Sequence, residues 1–490
     1  MKTNEIQTAD IQGIVISGYS HLFFSCYLFL QSKSPCQTKQ WLALIAESIT
    51  TADRRGSANT TGRKPKSAIN IAISHSGLKA LELPNDSINT FPQEFREGIT
   101  EPSRSRRLGD NGNSDPVHWD IGGVTADGVL KNPLHILLIL QASSESALAE
   151  LRLQYETQAL RHGVSLIHSE EGYRLPDHKE HFGFRDGISQ PDVEGSPNGP
   201  DDAGSAIKTG EFILGYPNSY GSLPPTPMVA KASDVNKHLQ PLPHVDGNSP
   251  QDFVDLGQNG TYLVFRKLHQ DVAGFRTFFQ NRFPNVEEQK LMMAKAVGRW
   301  PSGTPLVLSP DRDNTTPEDV LKSDDFGYTT DLHGYGCPIG SHIRRSNPRD
   351  SLEKTDKISL EDVNRHRILR RGVSYGKSLP VGQMEDDGKP RGLLFFCINA
   401  DLKRQFEFLQ QTWINNPKFN GLYNDPDPLV GDNIDAGDKP RTCNLTIPRQ
   451  PVRTRIKELP RFVTVKGGCY FFLPGIATLR YLASLPSVMP

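Results

Sequence analysis

Neither sign of charge is in surplus in this 490-residue chain: 55 Lys and Arg stand against 56 Asp and Glu. A balanced charge gives no electrostatic reason to expect nucleic acid or an anionic membrane as partner. Paired cysteines are also missing. Cys26, Cys36, Cys337, Cys397, Cys443 and Cys469 are scattered with no CxxC spacing, which argues against zinc ribbons, iron–sulfur clusters and thioredoxin-like sites. Cys26 and Cys397 fall inside apolar runs, where cysteine serves as a small buried hydrophobe. This usage suits a reducing cytosol. No apolar run is long enough to span a bilayer. HLFFSCYLFL follows MKTNEIQTADIQG, which holds two acids and one lysine rather than a basic leader, and no A-x-A site comes after it. It reads as a buried strand and the protein as cytoplasmic, not as a signal segment.

What the chain does have is length, enough for two or three domains, and many loop formers, 42 Gly and 37 Pro. Apolar periodicity predicts strands at Ile11–Ile16, Leu22–Leu30, Ser67–His75 and Leu134–Leu140, with helices over Lys39–Thr50 and Ser144–Arg161. The second half repeats the rhythm. Strands are predicted at Gly260–Arg266 and Gly392–Ile398, and helices over Gln270–Phe283 and Leu402–Trp413. Thr51–Ser67 is a polar loop by composition. The Pro-, Gly- and Ser-rich stretch Pro200–Gln251 reads as a crossover between domains. The alternation suggests a ferredoxin-like α+β unit used twice, with antiparallel sheets, over residues 1–200 and 201–490.

Three segments could carry chemistry. In GFRDG (Gly183–Gly187) two glycines flank Asp186, which suits a tight turn that approaches a flat ligand closely; the bland reading is a turn with a solvated carboxylate. In GCPIGSHIRRSNPRD (Gly336–Asp350) His342 precedes Arg344, Arg345 and Arg349. An imidazole can ligate iron and guanidiniums bind carboxylates in a fork, but a basic loop with one structural histidine reads the same. In HRILRRGVSYG (His366–Gly376) Arg370 and Arg371 lie on a strand-like stretch, suited to stabilising developing charge or simply facing water.

Taken in order, GFRDGISQP, GEFILGYP, SHIRRSNPR, ILRRGVSYG and DPLVG resemble the dye-decolourising (DyP-type) haem peroxidases, over nearly the whole chain. The resemblance implies two ferredoxin-like domains packed sheet to sheet, one haem b per subunit in the C-terminal domain, hydrogen peroxide as oxidant, and dyes or phenolics as reductants. It implies Asp186 as the distal acid–base group, Arg370 as charge stabiliser, His342 as proximal iron ligand and Asp427 of DPLVG as its acidic partner. Arg344 is the expected propionate partner. Gly187, Ile188, Leu393 and Phe395 are expected to border the haem pocket; strand alternation puts Leu393 and Phe395 on one face and Leu394 and Phe396 on the other, and the resemblance favours the first pair, which a one-residue slip would exchange for the second. His181 is a second candidate ligand, disfavoured because a ligand and the distal base must lie on opposite faces of the porphyrin. Tyr375 and Trp413 match positions suspected of relaying electrons from bulky donors at the surface; simple aromatic packing explains them equally.

Two other readings compete. A haem-handling protein would use the same fold and His342 without needing Asp186 and Arg370. A haemless binding module would need neither set. Oligomeric state, monomer or homodimer, is open.

Overall fold

The computed structural model describes residues 5–53, 64–175, 177–196, 206–242, 251–313, 324–352, 356–432 and 443–486. Its centre is a set of eight strands: β1 (Phe24–Ser32), β2 (Ser67–Ser74), β3 (Ile136–Ala142), β4 (Val164–Tyr173), β5 (Thr261–Gln270), β6 (Val373–Tyr375), β7 (Gly392–Asn399) and β8 (Val463–Leu473). The first four are ordered β4-β1-β3-β2 and the last four β8-β5-β7-β6. Both orders are the ferredoxin-like one, and all pairings are antiparallel.

The two sheets also join at their rims. Ser74 and Ile73 of β2 pair with Phe471 and Phe472 of β8, and Tyr173 of β4 pairs with Ser374 of β6. The expected sheet-to-sheet packing is therefore realised as one closed barrel, which leaves these rims no open edge. A short strand, Leu369–Arg370, pairs with β7 outside this ring.

Strand alternation explains why the middles of β1 and β3 are apolar on both faces. Cys26, Leu28 and Leu30 point outward with Ile136, Leu138 and Leu140 into a cluster shared with the flanking helices. Tyr27, Phe29, Leu137 and Ile139 point into the barrel. Both faces are dry, so both must be apolar. Aromatic rings fill the interior: Tyr27 stacks on Phe396 at 4.5 Å, and Phe265 lies 4.9 Å from Phe29 and 5.0 Å from Phe396. Helices Pro35–Ala46 and Glu145–Arg161 cover the first sheet, with N-caps from Ser34 and Ser144. Helices Val272–Arg282 and Val286–Val297 flank the second. The C-terminal helix Ile476–Ser484 returns to pack on Pro35–Ala46. No helix among the described residues is long and apolar enough to cross a membrane.

Four local expectations change. Ile11–Ile16 contains a short helix, Gly13–Ile16, not a strand. Gln12 binds Ile71 and Pro474 through its side chain, and Ile14 N–H donates to Asn70, so tertiary partners outbid the strand propensity of GIVI. Leu402–Trp413 is helical but wide-turned: Glu407 N–H reaches Leu402 O and Asn415 N–H reaches Gln410 O, each five residues back. The described part of the crossover holds strands Met228–Ala230 and Gln240–Pro241, both paired with Phe253–Asp255. Strands β4, β6 and β8 were not legible in the pattern: the Gly-Gly step in β8 coincides with a register shift, and β4 is largely polar. Residues 54–63 of the expected Thr51–Ser67 loop lie outside the described residues.

Candidate active site

The loop that follows β4 carries Asp186. It makes a narrow turn: Glu180 N–H donates to Phe184 O, Gly183 N–H to Glu180 O, and Asp186 N–H to His178 O, each at 2.9 Å. Gly183 and Gly187 have φ of 99° and 81°, conformations that suit glycine. A side chain at Gly187 would meet nothing within 4 Å, so this backbone borders open space.

Arg370 comes from the short strand beside β7, paired with Cys397. Its Nη1 donates to Asp186 Oδ1 at 2.9 Å and its Nη2 to Ile188 O at 2.9 Å. Gln190 accepts the Arg370 backbone N–H at 3.0 Å. Burial works against the Asp186 charge, but Arg370, the Gly187 N–H and Arg174 outweigh it and hold the carboxyl below its ordinary value.

His342 opens the short helix His342–Ser346. Its Nδ1 lies 2.9 Å from Oδ2 of Asp427, whose side chain is fully buried. Asp427 is locked by its own turn, with Oδ1 accepting the N–H groups of Leu429 and Val430. Gly431 packs so close to the Asp427 backbone that a Cβ there would fall 2.5 Å from its carbonyl oxygen, which accounts for the glycine of DPLVG. Burial opposes charge on the His342 ring and Asp427 outweighs it, so its pKa rises. Arg370 and Asp186 also act on that ring electrostatically, Arg370 opposing its charge and Asp186 favouring it.

The implied haem can be tested against these residues. The side chains of His342, Arg370 and Asp186 keep 32%, 36% and 42% of their surface accessible. On β7, Leu393 and Phe395 stay half-exposed while Leu394 and Phe396 are buried in the barrel. Accessible side chains of these types, a Gly187 backbone with open space beside it, and an imidazole whose Nε2 has no protein partner among the described residues fit a flat, iron-bearing ligand.

Three expectations are corrected by position. Arg344 is buried, and its guanidinium is committed to Cys337 O and to the backbone and side chain of Asp331, over the Tyr328 ring; it is not free for a propionate. Arg349, one of the guanidiniums following His342, and Arg367, which no motif singled out, bind Ser189 in the Asp186 loop, and Arg349 and Arg370 act electrostatically on Arg367. Arg349 stood in the quoted SNPR run, so its signal was available. Tyr375 and Trp413 are not surface residues, at 5% and 4% exposure. Tyr375 lies in the barrel interior cluster with Lys267 5.4 Å above its ring; Trp413 packs with His366, Phe408 and Phe419. His181 is buried, with Nε2 on Tyr375 O at 2.8 Å and Nδ1 near Ser378 Oγ, so its ring is engaged by protein partners.

Comparison with known proteins places these features in context. Residues 249–422 match the sequence family described as Dyp-type peroxidase, C-terminal. The multifunctional dye peroxidase of Amycolatopsis sp. is 31% identical over 374 residues, spanning 73% of this chain and 73% of that protein. A dye-decolorizing peroxidase of Mycetinis scorodonius is 27% identical over 507 residues, covering 98% and 88%. The crystal structure of a fungal DyP-type peroxidase from Auricularia auricula-judae superposes with a TM-score of 0.77 at 25% identity, covering 98% of this chain and all (100%) of that one.

Proposed function

Because this chain belongs to the DyP-type peroxidase family, a family of haem enzymes that act on peroxide, we propose that it binds one haem b per subunit on His342 and reduces hydrogen peroxide with Asp186 and Arg370, at the expense of dyes, phenolics and similar one-electron donors. The observation that carries this reading is the pairing of Asp186 with Arg370 and of His342 with the buried Asp427, with Arg370 and Asp186 near enough to act electrostatically on the His342 ring. Haem bound there would supply the iron that peroxide coordinates and the store for its oxidising equivalents.

The chain's own residues do the rest. Asp427 accepts the Nδ1–H of His342, which fixes the tautomer and leaves the Nε2 lone pair for a metal. Ionised Asp186 takes the proton from one peroxide oxygen and returns it to the other, so that the O–O bond breaks with water as leaving group. Arg370 keeps Asp186 charged between turnovers and offsets the charge that develops as that bond lengthens. Gly187 and Ile188 supply close backbone; Leu393 and Phe395 supply an apolar wall that keeps bulk water from competing for the proton. Arg349 and Arg367, rather than Arg344, would hold the haem carboxylates, since guanidiniums pair well with them. Tyr375 and Trp413 are buried, so a role in moving electrons would be as inner stations. Six unpaired cysteines suit the cytosol.

The test uses haem-loaded protein and its visible spectrum before and after one equivalent of H2O2. A Soret band with a fast spectral change on peroxide supports the peroxidase reading. A Soret band with no fast change favours haem handling instead, and failure to bind haem overturns both.

A further inference from the structure

We propose that Glu180 is the positioning residue that sets the Asp186 carboxylate against Arg370, by stapling the turn before Asp186 onto strand β5. This rests on Asp186 being the acid–base group. Glu180 Oε1 accepts the Phe184 N–H at 2.9 Å; Oε2 accepts the Phe182 N–H at 2.9 Å and Gln270 Nε2, at the end of β5, at 2.6 Å. Its backbone closes the same turn through Phe184 O and Gly183 N–H. One side chain thus gathers three donors.

Those donors have nowhere else to turn. Phe182 and Phe184 are buried in a cluster with Phe275, and Phe182 lies 4.5 Å from the Phe275 ring. Water cannot readily replace the carboxylate, and an unpaired buried N–H is costly. Phe184 is two residues from Asp186, so the placement of its peptide decides where the Asp186 side chain starts. Gly183 and Gly187, both at positive φ, bracket this segment, so side-chain sterics do not restrict the path and the hydrogen bonds must.

The opposite side of Asp186 is fastened independently. Ser189 Oγ donates to Asp324 at 2.5 Å, and Gln190 accepts the Arg370 N–H. Asp186 therefore hangs between two anchors, one tied to Arg370 itself and one dependent on Glu180. Burial pushes the Glu180 carboxyl up to about 7, with the Asp186 charge adding to the push against the three N–H donors. A carboxyl held at that cost, outside the proton path, is explained by the turn it holds.

The test compares haem-loaded parent, Glu180→Gln, Asp186→Asn and the double variant. Glu180→Gln keeps the side chain's size but sets an amide NH2 against a backbone N–H. Its rate of spectral change with H2O2 should fall about tenfold to a hundredfold, the scale of a misplaced catalytic group, with haem affinity in Soret titration unchanged. With a peroxyacid, which surrenders its proton more readily, the fall should be smaller. In the double variant Glu180→Gln should add nothing to Asp186→Asn. In the haem-free protein, amide hydrogen exchange should quicken over residues 179–187 and not elsewhere. If Glu180→Gln fails to load haem, Gln270→Leu, which removes only the third donor, should show the same selectivity at smaller amplitude. The proposal is overturned by a parental H2O2 rate in both Glu180→Gln and Gln270→Leu, by equal losses with H2O2 and peroxyacid, or by effects that multiply with Asp186→Asn. A parental rate in Asp186→Asn alone would instead remove the underlying reading of Asp186, and the proposal with it.

Discussion

Arg370 Nη1 stands 2.9 Å from Asp186 Oδ1 although 184 residues separate them in the chain. The contact joins a loop after the first ferredoxin-like sheet to a strand beside the second, so closure of the barrel is what brings carboxylate and guanidinium together.

Asp186→Asn should abolish the fast reaction with H2O2, by roughly a hundredfold to ten-thousandfold as for loss of a general acid–base group, while haem still binds. Rapid mixing and Soret titration measure the two separately. An asparagine variant that reacts at the parental rate would remove Asp186 from the mechanism.

The pH dependence follows from the same pair. Burial opposes the Asp186 charge, but Arg370 outweighs it and the carboxyl sits below its ordinary value. A depressed carboxyl pKa gives a contribution that is present above the ordinary value and lost only as pH falls through the lower folded one. The peroxide rate should therefore persist into acid beyond the ordinary carboxylate range. Arg370→Leu should move this acid limb upward. An acid limb at the same pH in both proteins would contradict the coupling.

Asp427→Asn should weaken haem binding or turnover by about tenfold to a hundredfold, the usual cost of removing a ligand's hydrogen-bond acceptor. Because the Asp427 carboxyl is buried and already engaged by Leu429 and Val430, the fold itself should survive, which circular dichroism would register. Unchanged haem affinity and turnover would mean that His342 needs no acidic partner.

Arg349→Leu and Arg344→Leu should separate haem binding from folding. The first removes a guanidinium that bonds Ser189 of the Asp186 loop as well as Asp324 and Phe326 O, and should weaken haem loading along with some loss of stability. The second leaves the buried Cys337 O without its arginine partner, while Asp331 keeps the N–H groups of Gly334, Gly336 and Cys337; at about 1–3 kcal/mol for the lost partner, it should lower the denaturant midpoint alone. Apo-protein denaturation and haem titration, run on both, would expose a reversed assignment.

Trp413→Phe preserves the packing against His366 and Phe408 but raises the cost of oxidising that ring. Turnover of a bulky dye should fall while the rate with H2O2 alone is kept. Equal dye turnover in variant and parent would remove Trp413 as a station.

Much of this protein was legible without coordinates. The apolar runs around Cys26, Leu138 and Phe396 dictate strands by themselves, because a segment dry on both faces leaves no polar position to hide. Asp186, Gly187, His342 and Asp427 lie in segments with their own turn or cap chemistry, and Arg370 lies in a short strand-like run; local chemistry of this kind is what a sequence records. Three-dimensional closure decided the rest. Which groups engage Arg344 and Arg349 depends on the carbonyls and carboxylates the fold brings within reach: Cys337 and Asp331 for the first, Asp324, Phe326 and Ser189 for the second. Whether Tyr375 and Trp413 meet solvent depends on barrel closure and on packing around the wide-turned helix. GIVI forms a helix because Gln12 meets Ile71 and Pro474, and Ile14 meets Asn70, all far apart in sequence. Glu180 looked like one more charge in HKEHFGF, and only the burial of Phe182 and Phe184 beneath it makes it a staple. Sequence determines what each segment can bond to; tertiary structure decides which of those partners arrive.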